Sequence, residues 1–133
     1  MNIRQRIIDK NRGHSLQGSG SIQNKVAVRI ERKLALIDIS RITYISREKR
    51  KTIIHTEDGK KVIAGESLDA LEKRVAGGKF IRTHRSYLVN LDKVTEIEPW
   101  SRNSYMVVFS GLKEVAYMTE ERFKELQEKL NLG

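Results

Sequence analysis

The chain has 133 residues, with 26 lysines and arginines against 17 aspartates and glutamates, a formal net charge of +9 at pH 7. That length allows one hydrophobic core with a tail, not two cores, and a positive balance favours polyanionic partners: nucleic acid, an anionic membrane surface or an acidic protein. The absence of cysteine excludes a disulfide framework and any thiolate zinc site and fits a reducing compartment, so the expected location is cytoplasmic.

Residues 1–24 read as a linker or tail. Ile3, Ile7 and Ile8 would line one face of a short basic helix, and Gly13 to Ser21 is turn-rich. Arg4, Arg6, Ile7 and Ile8 run straight into Asp9, Lys10, Asn11 and Arg12, which leaves no apolar region for a signal peptide. No stretch approaches the roughly 20 apolar residues needed to cross a bilayer, so a soluble protein is expected.

From residue 25 to 133 a single domain is expected. Val26, Val28 and Ile30 alternate with Ala27, Arg29 and Glu31, the pattern of a strand with one buried face. Leu34 to Ile39 predicts a second strand, and a short third follows with Ile42 and Tyr44 on one face. The basic loop Arg47-Glu48-Lys49-Arg50-Lys51 feeds a strand at Thr52 to Thr56. Glu57-Asp58-Gly59 carries a hairpin signal, and residues 60–64 return.

A helix is predicted after Ser67. That serine suits an N-cap, Asp69 and Glu72 suit the positive end, and Leu68, Leu71 and Val75 share a face until Gly77-Gly78. After Thr95, Ile97 and Trp100 comes a polar turn at 101–104, then strands at 105–109 and 115–118. Thr119 caps a last helix whose Phe123, Leu126 and Leu130 share a face, packed on the sheets or on a second copy. Short strands, frequent turns and two helices describe a mostly β domain. Tyr44, Tyr87, Trp100, Tyr105, Phe109 and Tyr117 fall at strand spacing and are expected in the core.

Between the two helices lies FIRTHRSYLVNLDKV, residues 80–94. Its apolar residues flank a donor-rich cluster of Arg82, Thr83, His84, Arg85 and Ser86, which suits a strand and turn with a basic edge for a phosphate backbone. The same residues also suit a plain cationic surface turn. Phe80, Arg82, His84, Arg85, Ser86, Tyr87, Leu88, Val89, Asn90, Leu91 and Val94 together resemble the central signature of the LytTR family of bacterial DNA-binding domains, over roughly residues 24–130.

The resemblance implies about ten short strands in three antiparallel sheets, with a small central helix and a C-terminal one. It implies sequence-specific binding of double-stranded DNA by loops in major grooves, as the effector domain of a two-component response regulator behind a receiver domain, with direct repeats bound by two copies. The loop holding Lys49, Arg50 and Lys51 corresponds to a base-reading loop, with Arg50 the foremost base reader or else a phosphate contact, and Arg85 to a DNA contact. His84 either touches DNA or fixes the turn. Arg102, Asn103 and Arg122 complete the candidate set, while Asn90 is expected to bond backbone. Where the family usually has a Ser-Arg-Arg-like run, this chain has Thr119, Glu120, Glu121 and Arg122, so either Arg122 replaces the contact or a different base is read.

Neither helix carries a row of Arg, Asn and Gln, so no helix-turn-helix is readable. His14, His55 and His84 lack metal spacing, no nucleophile elbow or phosphate loop is present, and neither an enzyme nor a cofactor is expected. The alternative function is an RNA-binding or protein-docking β module using the same basic face.

Overall fold

In the computed structural model, which describes residues 21, 22, 24–76 and 78–130, the period-two segments form strands and the two capped segments form helices. In order these are β1 (Ser21–Ile22), β2 (Lys25–Ile30), β3 (Lys33–Asp38), β4 (Ile42–Glu48), β5 (Lys51–Thr56), β6 (Lys61–Ala64), α1 (Leu68–Arg74), β7 (Phe80–His84), β8 (Tyr87–Asn90), β9 (Val94–Ser101), β10 (Ser104–Phe109), β11 (Val115–Thr119) and α2 (Glu120–Lys129). The expected short basic helix and most of the expected linker lie outside the described residues, while Ser21 and Ile22 pair with β2.

Three antiparallel sheets result, in the orders β1-β2-β3, β6-β5-β4-β8-β7 and β11-β10-β9. The five-stranded sheet is covered on both faces. On one side Ile42, Ile45, Ile54 and Leu88 pack with Val26 and Val28 of the first sheet and with Leu68, Leu71 and Val75. On the other, Tyr44 and Val89 pack with Val107, Phe109, Ala116, Met118 and Leu126. Each fully buried aliphatic side chain contributes roughly 1.5–3 kcal/mol, so both layers hold the sheet.

Ile42 and Tyr44 do not share a face. Ile42 pairs with Thr56 and Tyr44 with His55, so Thr43 is the extra residue of a β-bulge, and alternation is reset there. The bulge puts Ile42 with Ile45 in the first core and Tyr44 in the second. A strand expected to be short therefore runs seven residues, five of them buried.

The helices form where caps and apolar spacing coincide. Ser67 Oγ accepts from the Ala70 amide at 3.1 Å, and Thr119 Oγ1 from the Arg122 amide at 3.1 Å, each satisfying a donor the helix leaves free. Leu126 is buried and Phe123 packs beside it, stacked on Tyr105 at 3.8 Å. Leu130, expected on the same face, is largely exposed. Ahead of α1, Glu66 accepts from the Arg29 amide and from Arg74 Nη1 at 2.7 Å, tying the first sheet to the helix.

At the centre of the second core His55 stacks on Tyr44 at 3.9 Å, and Tyr44 on Phe109 at 5.0 Å. His55 Nε2 lies 2.9 Å from Ser46 Oγ. Burial lowers the His55 pKa to about 4, against the raising influence of Glu48, so the folded chain keeps this ring neutral while an unfolded chain protonates it near 6.5. The unfolded state therefore holds the extra proton between those values, and stability should fall as pH drops from about 6.5 towards 4. Urea midpoints over this range should decline for the natural chain and decline less for His55→Phe, which keeps a stacking ring. Parallel slopes for the two would refute the assignment.

Candidate nucleic-acid interface

Three turns carry the basic residues. Glu48 pairs with Lys51, leaving Lys49 and Arg50 as a two-residue loop with φ of 48° and 69°. Two left-handed residues in such a loop make a type I′ turn, which usually takes Asn-Gly. Long side chains there cost on the order of 1–2 kcal/mol per residue. Glu31 and Asn24 also have positive φ, but only here do two long cations occupy both central positions. Below the loop, Arg47 Nη1 donates to Thr52 Oγ1 at 3.0 Å.

The second turn, Arg85–Ser86, is held from within. Arg82 pairs with Leu88 and His84 with Tyr87, so Thr83 is a bulge residue; it is fully buried and donates to the Tyr117 carbonyl at 2.8 Å. Arg82 points to the opposite side. Its guanidinium donates to the carbonyls of His84 and Arg85 at 3.0 and 2.6 Å, and to Asp69 and Glu72 at 2.8 and 2.7 Å. Burial opposes its charge, but the two carboxylates more than offset this and raise its pKa, while Arg82 in turn holds the Asp69 carboxyl below its usual range.

His84 Nδ1 accepts from the Ser86 amide at 3.0 Å. Burial, then Arg85 and Arg82, lower its pKa, which keeps that nitrogen available as an acceptor at neutral pH. The histidine thus fixes the turn. Asn90 is buried, donating to the Ile42 carbonyl at 2.9 Å and accepting from the Asp92 amide at 3.0 Å, as expected of a backbone-bonding residue.

The third turn, Arg102–Asn103, joins β9 to β10. Pro99 pairs with Tyr105 and Ser101 with Ser104, leaving Trp100 as the bulge residue. Expected in the core, Trp100 is instead 59% exposed, because the bulge turns it out of the sheet's alternation. Pro99 just before it, a residue confined to strand edges and bulges, was the available signal.

The turns meet. The Arg47 amide donates to the Ser86 carbonyl at 2.9 Å, and the Glu120 amide to the Asn103 carbonyl at 3.1 Å. Arg47, His84, Ser86, Tyr87, Trp100, Ser104 and Tyr117 line one cleft of about 400 Å³. Among the described residues, Lys49, Arg50, Lys51, Arg85 and Arg102 are exposed and make no ion pair. Arg122 differs: it pairs with Glu125 at 3.1 Å and lines another groove, with Glu72, Arg82 and Lys129. Glu120 is 3.7 Å from Lys124. Arg82, by sequence part of the basic patch, has its charge taken up internally.

No group of three potential metal ligands and no helix long and apolar enough to cross a membrane occurs among the described residues.

The family model for the LytTr DNA-binding domain matches residues 32–131. The sensory transduction protein LytT of Oceanobacillus iheyensis is 36% identical over 91 residues, which cover 68% of this chain and 37% of that protein. LytT of Bacillus subtilis is 27% identical over 116 residues, 87% of this chain and 47% of the relative. The transcriptional regulatory protein LytR of Staphylococcus aureus (strain MW2) is 32% identical over 93 residues, 70% and 37% respectively. The chain thus spans less than half the length of these curated relatives. A solved LytTr DNA-binding domain from Bacillus cereus superposes with a TM-score of 0.67 at 20% identity, covering 80% of this chain and 96% of that one, and so shares the fold.

Replacing Arg82 with lysine keeps the charge but loses the fork that spans two carbonyls and two carboxylates. Arg82→Lys should destabilise the chain by about 1–2 kcal/mol and speed hydrogen exchange at the Ser86 amide. An unchanged urea midpoint with unchanged exchange would show that the turn holds without the fork.

Proposed function

The chain belongs to the LytTR family of DNA-binding domains, and from that premise we propose that it reads double-stranded DNA sequence-specifically, as the effector part of a bacterial transcriptional regulator in the cytoplasm. The observation that carries this is the set of exposed, unpaired cations on turns whose backbones are fixed by bulges and internal hydrogen bonds. A duplex is a dense line of phosphates, and cations already held in place engage it with little ordering cost.

In this reading Arg50, at the tip of the type I′ turn, enters a major groove and grips guanine O6 and N7, a pairing that discriminates between bases by roughly 1–3 kcal/mol. Lys49 and Lys51 serve phosphates as point charges. Arg85 contacts the backbone from the clamped turn, with His84 behind it, and Arg102 and Asn103 extend the footprint across the cleft. Arg122 would have to leave Glu125 to reach DNA, and Glu120 and Glu121 would accept from a cytosine amine where basic residues would bind phosphate. Two copies would take a direct repeat. A receiver domain would precede this one in a full-length protein, and the greater length of the relatives leaves room for it.

Titration with duplexes drawn from a random library, across a salt series, tests the reading. Affinity should fall steeply with salt while preference for one duplex persists. Arg85→Ala should weaken every duplex and reduce the salt slope by about one, whereas Arg50→Ala should change which duplex is preferred. Equal binding by both variants, or preference for single-stranded RNA, would defeat it.

The strained turn gives a second test. Lys49→Asn with Arg50→Gly supplies residues that tolerate positive φ; less the backbone entropy that glycine adds to the unfolded chain, the doubly substituted chain should be about 1–2 kcal/mol more stable and yet bind duplex more weakly. A gain in both, measured by urea denaturation and by titration, would contradict a functional reason for the strain.

A further inference from the structure

Trp100 belongs to none of the basic patches and is not needed by either core. It is the only tryptophan in the chain, and a large apolar ring left 59% exposed calls for a partner more than a scattered surface leucine does. Its position is built. The Arg102–Asn103 turn has no residue at positive φ, so it lacks the twist of a primed hairpin turn, and the bulge at Trp100 lies immediately beside it.

The indole is supported from behind. Trp100 lies 5.8 Å from Tyr117, Tyr117 5.9 Å from Tyr87, and Tyr87 6.1 Å from Tyr44 in the buried stack. This line of rings holds the exposed one from the protein side and leaves its outer face open at the rim of the cleft. Around that rim lie Arg47 and the Arg85 and Arg102 turns. An uncharged strand or a lipid tail would leave these cations unanswered, whereas a sugar-phosphate backbone presents anionic oxygens and apolar sugar faces together.

We propose that Trp100 is a further DNA-contacting residue, its indole packed against deoxyribose at the cleft while the cations beside it take the flanking phosphates. The inference rests on the duplex-binding reading given above. Its role is positional: an apolar wall sets where the backbone lies between the β4–β5 and β9–β10 turns, without displacing counterions.

That last point separates Trp100 from the arginines. Trp100→Ala should weaken binding to the preferred duplex about tenfold, by analogy with aromatic contacts to nucleic acid, with the salt slope unchanged. Arg85→Ala should weaken it and flatten the slope. Trp100→Phe should stay within about threefold of the natural chain. As a check independent of any variant's folding, duplex should shield the natural chain's tryptophan emission from acrylamide. If Trp100→Ala, still folded, binds within twofold of the natural chain, or the indole stays equally open to acrylamide on saturated duplex, the inference fails while duplex binding stands. If the natural chain shows no salt-sensitive duplex binding at all, both fail.

Discussion

A sheet whose central strands are buried on both faces leaves few of their side chains indifferent to register. In β4 and its neighbours a one-residue slip would move Ile42, Ile45 and Ile54 out of the first core and Tyr44 and His55 out of the second. The bulge at Thr43 is part of that constraint, because it lets one strand serve two cores whose spacing is not a simple alternation. No buried side-chain polar atom among the described residues lacks a hydrogen-bond partner, so the polar members of these strands, Ser46, His55, Thr83 and Asn90, fix the register as firmly as the aliphatic ones.

The candidate interface inherits its order from this arrangement. Residues on one face of β7 reach back to α1 through Arg82, while Thr83, displaced by its bulge, ties the strand to β11. The turn between them is gripped from two layers at once. The side chain of its charged member, Arg85, is thereby left free, and the same division holds at the β4–β5 turn, where Arg47 bonds Thr52 while the Arg50 side chain has no ion-pair partner among the described residues. Cations that hold the fold and cations that face solvent are different residues, and only the geometry tells them apart.

Much was legible in the residues themselves. Ser67 and Thr119 announced both helices because a cap is a local event, and the 80–94 signature announced the fold because it is long. Alternation found the strands but failed wherever a bulge interrupts it: Ile42 with Tyr44, and Trp100 as a core ring. A bulge is decided by the facing strand: beside Trp100 only Pro99 hinted at it, and around Thr43 no residue did. For the same reason Arg82 and Arg85, three positions apart and chemically identical, read alike until Asp69 and Glu72, distant in sequence, were brought beside one of them.

The type I′ turn at Lys49 and Arg50 sits at the end of a ladder pinned lower down by the Thr43 bulge and by Arg47 with Thr52. Neither residue touches a core. Substitutions at these two positions are therefore limited by the left-handed backbone and not by the packing of β4 and β5, so their side chains can be changed while both cores stay intact.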